Sequence, residues 1–175
     1  MKEDMSRRKL LIGFLIKALV LFIVYEVLYY QFIQPDETVD ILLTGLVLKG
    51  AVVILNLVGF EATRVENVIF INEVQSVKVA HGCNGLEMLA LYIGFIICFP
   101  GKWMYKIIYI LMGTVALIFS NMIRDALLAI NYNYFQVTFD LNHKYTYSLA
   151  LYFIIFMIWK HWITNYSIVG KKVNE

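Results

Sequence analysis

The stretch His81-Gly82-Cys83-Asn84-Gly85-Leu86-Glu87 marks the point where a polar, strand-like segment gives way to an almost unbroken apolar run from Leu86 to Phe99. A helix is expected to start near Asn84, which would set its unsatisfied N–H groups and positive dipole end beside Cys83. Such a setting favours thiolate over thiol. Further along, a second apolar run carries Asn121-Met122-Ile123-Arg124, and hydrocarbon tolerates an arginine poorly unless it has a task there. Beyond it, Phe139-Asp140-Leu141-Asn142-His143-Lys144 reads as a polar loop just ahead of the last apolar run.

The composition defines the solvent. Hydrophobic residues make up 61% of the chain, aromatic residues 15%, and there are only 2 prolines; with a mean hydropathy of +0.70 this lies far outside the soluble range and identifies a membrane protein. The formal net charge is +2, with bases gathered at both termini and around Gly101. That distribution suits topology signals and offers no basic face for a nucleic acid, so none is expected as a partner. Cys83 and Cys98 form neither a Cys-x-x-Cys pair nor a finger spacing, so no disulfide framework is expected and Cys98 reads as a small buried apolar residue.

The expected fold is an all-α polytopic membrane protein, a single membrane domain over 1–175. It has about five apolar helices, at about 10–33, 39–59, 84–99, 103–131 and 145–163, and a small extracytoplasmic hairpin-like segment at 60–82. The first run follows a basic start but is too long for a signal-peptide core, and it closes on Tyr29-Tyr30-Gln31-Phe32, an interface anchor. Gln34-Pro35-Asp36-Glu37-Thr38 reads as a break because proline lacks a donor and the residue before it avoids helix. The second run is long enough to span, yet Lys49 at its middle would cost about 2.5–3.5 kcal/mol there, which favours a re-entrant or interfacial placement. Between Phe60 and Gly82, Val68-Ile69-Phe70-Ile71 and Val74 to Val79 flank the polar pair Asn72-Glu73, the pattern of two short strands. The fourth run would reach about 43 Å against a core of about 30 Å, so Arg124 falls near its end and near the interface.

Lys102 and Lys106 after the third run, and Lys160, Lys171 and Lys172 after the fifth, read as cytoplasmic, which turns Cys83 and His143 outward. The basic N-terminus also favours the cytoplasm, and five full spans cannot place both ends there.

Cys-x-Gly-Leu opening a membrane helix, Asn-x-x-Arg near the far end of the next, and a histidine in the loop after that helix resemble the exosortase/archaeosortase family, on Cys83, Gly85, Leu86, Asn121, Arg124 and His143. The resemblance spans roughly Val65 to Trp162. It implies a multi-pass cysteine peptidase or transpeptidase of the cytoplasmic (inner) membrane that processes C-terminal sorting signals of exported, membrane-anchored proteins. Cys83 would be the nucleophile, with Arg124 and His143 completing the site. The family's commoner Cys-Ser-Gly-Leu-Arg reads Cys-Asn-Gly-Leu-Glu here, a departure that points to different substrates. The partners implied are a sorting signal and the lipid bilayer; no cofactor and no metal are expected.

In these roles Arg124 would stabilise thiolate or oxyanion charge, and His143 would accept the thiol proton and return it to the leaving amine. Asn121, one turn before Arg124, would orient it or the substrate, and the amides of Asn84 and Gly85 would serve an oxyanion. Glu87 is expected to face Arg124 and hold its guanidinium. Each position has a plainer alternative. Arg124 can be a clamp on Glu87 or Asp125 or an anchor to lipid phosphate, His143 can be solvated surface, and His81 competes for the base role. A non-enzymatic scaffold, or a metal site built from His81, Cys83 and His143, is the alternative function.

Overall fold

A computed structural model describes residues 2–80 and 84–167. Helix α1 (Lys2–Leu28) continues through a π-helical turn, Tyr29–Ile33, into a single turn α2 (Gln34–Asp36). The break expected at Pro35 therefore falls later, at Glu37, whose φ of 52° is left-handed. The π-turn shifts the hydrogen-bond register just ahead of the proline, and such turns are where helices absorb an insertion or a missing donor.

Helix α3 (Thr38–Leu57) ends against the first of three antiparallel strands, β1 (Ala62–Val65), β2 (Val68–Ile71) and β3 (Val74–Lys78), in the order β1-β2-β3. The β2–β3 hairpin is the one expected from the sequence. Its two-residue turn, Asn72-Glu73, has positive φ at both positions, 51° and 64°, the geometry whose twist matches the flanking strands. β1 was not anticipated, since Ala-Thr-Arg-Val is too short and polar to read as a strand. It is held from outside: the Asn56 amide brackets Ala62, accepting from its N at 2.8 Å and donating to its O at 3.1 Å, and Arg64 Nη1 donates to Gly45 O at 2.8 Å.

Helix α4 (Leu86–Cys98) has 13 residues, about 20 Å at 1.5 Å per residue, short of the about 30 Å core. The third run expected over 84–99 is thus trimmed at both ends. Gly85 is left-handed before it, and Phe99 after it is extended, as the residue preceding Pro100 favours. Helix α5 (Trp103–Tyr134) is longer than expected, and only Phe135 (φ −140°, ψ 50°) separates it from α6 (Gln136–Leu141). A second π-helical turn, Asn142–Thr146, joins α6 to α7 (Tyr147–Tyr166). The loop expected to carry His143 is therefore helical. The Asn131 amide donates to Thr138 Oγ1 at 3.0 Å across the turn at Phe135, tying the two helices where a longer loop was expected.

Four helical stretches, Arg8–Asp36, Thr38–Leu57, Trp103–Tyr134 and Gln136–Tyr166, are long and apolar enough to cross a membrane. The chain is an all-α polytopic membrane protein with a small β element. Two buried clusters form at two levels. One joins α1, α4, the first half of α5 and α7: Phe14 packs edge-on against Phe95 and Phe99, and Tyr92, Ile96, Leu117, Ile155 and Trp162 are fully or almost fully buried. The other joins α3, the sheet and the later turns of α5, through Leu48, Ala51, Leu55, Ile69, Ile71, Ala126 and Ala129. Ser76 ties the sheet to α5, its hydroxyl donating to Ala129 O at 2.9 Å. Although α3 is long enough to span, it packs beside the later half of α5. Lys49 lies on its exposed face.

Candidate functional site

His81, Gly82 and Cys83 lie outside the described residues, and the site is defined by the junction at Asn84 and Gly85. Asn84 is 2% exposed and uses every polar atom of its side chain. Its Oδ1 accepts from Leu86 N at 3.0 Å, closing a local turn that takes one of the first free N–H groups of α4. Its Nδ2 donates to Asp40 Oδ1 at 2.7 Å and to Asp40 O at 3.3 Å. Its backbone carbonyl accepts from Asn121 Nδ2 at 2.7 Å. The residue next to Cys83 is thus pinned to the start of α3 and to the middle of α5 at once. Buried polar groups are tolerated because they are paired in this way.

Gly85 completes the junction. Its φ is +88°, and a Cβ built on it would meet Asn121 Nδ2 at 3.0 Å. Both the backbone angle and the closeness of the Asn121 amide call for a residue without a side chain. Helix α4 therefore begins at Leu86, two residues later than expected, because Gly85 turns the chain into it.

Arg124 lies one turn beyond Asn121 on α5 and is buried at 8% exposure. Its Nη1 is 3.5 Å from Oδ1 of Asp125, which is wholly buried. His143, on the second π-helical turn, is half-buried and stacks on Phe139 with ring centroids 5.7 Å apart and an interplanar angle of 10°. Helix α6 packs back on α5 and runs directly into the turn that carries His143, which sets His143 toward the later end of α5, where Arg124 lies.

Glu87 does not hold Arg124. The carboxylate paired with Arg124 among the described residues is Asp125, one of the alternatives open from the sequence, while Glu87 lines a groove against α1. Helical periodicity explains the difference. Gly85 and Leu89 face Leu117 and Asn121 of α5, whereas Glu87, Ala90, Leu91 and Gly94 form the stripe turned toward α1, with Met88 between the two. The sequence also missed Asp40. An acid at the start of an apolar run reads as an interface residue, and nothing in its spacing points to Asn84; its burial at 2% exposure is visible only in the folded chain.

At the opposite end, Lys106 is buried beneath Trp103, 4.8 Å from the ring centroid, and its Nζ donates to Ile97 O at 2.6 Å. It closes the C-terminus of α4, where orphan carbonyls and the negative dipole end favour a cation. Lys106 is thus a structural residue, and Lys102 is the exposed base of this connection.

The family model described as Transmembrane exosortase (Exosortase_EpsH) matches residues 7–160. No curated protein and no solved structure matches. With that match covering most of the chain, and a multi-pass helical fold that brings the Asn-x-x-Arg turn of α5 beside the entrance to α4, the chain belongs to the transmembrane exosortase family.

Proposed function

We propose that this exosortase is a membrane-embedded cysteine peptidase or transpeptidase of the cytoplasmic membrane. It cleaves the C-terminal sorting signals of exported, membrane-anchored proteins at the outer face. Its main support is the junction Asp40–Asn84–Asn121, which fixes the backbone immediately after Cys83 and sets it one helical turn from Arg124. Rigid placement of that kind is what a nucleophile needs and what a membrane scaffold does not.

In the proposed reaction the Cys83 thiolate adds to the scissile carbonyl. Negative charge then develops on the carbonyl oxygen, within reach of Arg124 and of the amides at the mouth of α4. Collapse breaks the C–N bond, and the departing amine takes a proton from His143, which leaves a thioester on Cys83. Water or an amine then attacks the thioester, His143 accepts the proton of the attacking group, and Cys83 leaves as thiolate beside the protonated His143, which restores the starting state.

The proposed orientation rests on packing and charge together. Phe14 of α1 sits against Phe95 and Phe99, and Trp162 of α7 sits against Gly101. The start of α1, with Arg8 and Lys9, thereby shares an end with Lys102 and Lys160, and that end is the cytoplasmic one under the positive-inside bias. In this reading α1, α4, α5 and α7 alternate between the two ends, and α3 is placed along the outer interface. That arrangement allows a basic N-terminus on the cytoplasmic side.

The test is processing of a membrane-anchored reporter by the purified full chain in liposomes, with mass analysis of the new C-terminus. Cys83→Ala is expected to insert normally and abolish processing. Unchanged cleavage by Cys83→Ala would refute the peptidase assignment in favour of a scaffold or another nucleophile.

A further inference from the structure

Between α1, α4 and α7 runs a groove of about 430 Å³, walled by Ala18 and Phe22 of α1, Ala90 and Leu91 of α4, and Tyr152 and Trp159 of α7. Helix α1 packs mainly on α4, so the groove has α4 as its floor and the other two helices as its sides. It is apolar along its length except at the Asn84 end, where Glu26 and Glu87 enter from different helices. Among the described residues neither carboxylate has an ion-pair partner. The Tyr25 hydroxyl beside them is buried and has no hydrogen-bond partner among the described residues. Tyr25 lines the same groove as both acids.

Carboxylates at the interface end of an apolar membrane groove favour a cationic or hydrogen-bonding partner. Two of them at one end of an otherwise apolar trough specify an occupant that is apolar along its length and positively charged at that end. We propose that the groove seats the apolar helix of the sorting signal, and that Glu26 and Glu87 select signals carrying a lysine or arginine at the outer end of that helix, next to the cleavage site. This rests on the peptidase function proposed above and adds a charge requirement to it. An acyl chain fits the apolar part equally well but gives no use to two acids, so a helix with a cationic end is the better match to the groove as a whole.

The probe is a reporter protein ending in one Leu/Ala helix with a photoreactive residue at mid-helix and Lys, Gln or Glu at its first position, reconstituted in phosphatidylcholine liposomes with the full chain bearing Cys83→Ala. Cross-links are expected on α4 around Ala90 and Leu91, with the Lys tail captured about tenfold more than the Glu tail, a factor typical of one charge pair formed rather than opposed. Glu26→Gln with Glu87→Gln should erase the preference, and Glu26→Lys with Glu87→Lys should invert it; the Gln pair decides alone if the Lys pair fails to insert. Equal capture of all three tails, cross-links confined to lipid, or cross-links on other helices would overturn the proposal. The same tails on the chain with Cys83 intact separate the two hypotheses. Charge-selective capture without cleavage sinks the peptidase assignment and leaves the groove, whereas cleavage indifferent to the tail's charge sinks the groove and leaves the peptidase.

Discussion

Replacing Gly85 by alanine tests whether the junction behind Cys83 is as tight as its geometry implies. Two costs add. An L-residue at φ +88° pays the left-handed penalty, about 1–2 kcal/mol. The new Cβ also meets Asn121 Nδ2 at 3.0 Å, and the amide must retreat by a few tenths of an ångström along its 2.7 Å bond to Asn84 O. Loss of that buried bond is worth about 1–3 kcal/mol. The variant should therefore lose about 2–5 kcal/mol in all, less the about 0.4–1 kcal/mol that any Gly→Ala change recovers from the unfolded chain.

Gly59 supplies the control. Its φ is +95°, and a Cβ there would meet nothing within 4 Å, so Gly59→Ala carries the backbone penalty alone. The difference between the two variants isolates the Asn121 contact. Reversible unfolding in mixed micelles, followed by the fluorescence of Trp103, Trp159 and Trp162, would measure both. In the pair Gly85→Ala with Asn121→Ala the clash is gone, so the losses should fall short of additivity by about 1–2 kcal/mol. Equal destabilisation by Gly85→Ala and Gly59→Ala, with additive behaviour of the pair, would show that Asn121 does not press on Gly85 and would remove the main structural support for the site.

Asp40→Ala should lower processing at least tenfold and destabilise the protein by about 1–3 kcal/mol, since it leaves the Asn84 amide short of its acceptor; wild-type rates in a reporter assay would show that α3 does not position the site. Arg124→Lys should be severely impaired at unchanged expression, because a point charge does not reproduce the guanidinium fork; single-turnover cleavage within twofold of wild type would contradict the role given to it. Lys106→Met should keep the burial and lose the bond to Ile97 O, costing about 1–3 kcal/mol in the same unfolding assay, and no loss would mean that α4 ends without it. In a background lacking native cysteines, a thiol at Gln75 should label from the extracytoplasmic side and one at Lys102 from the cytoplasm; the reverse pattern would invert the proposed mechanism.

The parts of the fold that the sequence made legible are those set by hydropathy and turn chemistry. The apolar runs, the Asn72-Glu73 hairpin and the stop at Pro100 are local, and the local residues suffice to produce them. What was not legible depends on contacts between segments. Helix α3 is long and apolar enough to span, but the sheet and Ala126 and Ala129 of α5, which pack with its buried residues, have no signature in α3 itself. The short turn at Phe135 that replaces a loop is tied by a bond from Asn131 to Thr138, and no composition rule distinguishes such a bond from a polar loop.

The site shows the same division, with a consequence for how its residues act. Asn84 and Asn121 are recognisable from their neighbourhoods, but their function as a pair comes from the closeness that Gly85 permits, and that pair in turn requires Asp40, far away in sequence. Asn121 and Arg124 occupy successive turns of one rigid helix, so the contact that fixes Asn84 also fixes the height of Arg124 relative to the chain leaving Cys83. A shift of α5 by even one ångström would break the 2.7 Å bond to Asn84 O and move the guanidinium by the same amount. In the proposed mechanism Asn121 thereby sets the distance across which Arg124 would act. Asn121→Asp puts an acceptor, and a charge where ionised, against a carbonyl oxygen and should displace the helix, whereas Asn121→Ala only loosens it. Processing should fall further in Asn121→Asp than in Asn121→Ala, and the opposite order would mean that Asn121 contributes as a donor to the substrate and not as the brace between the two helices.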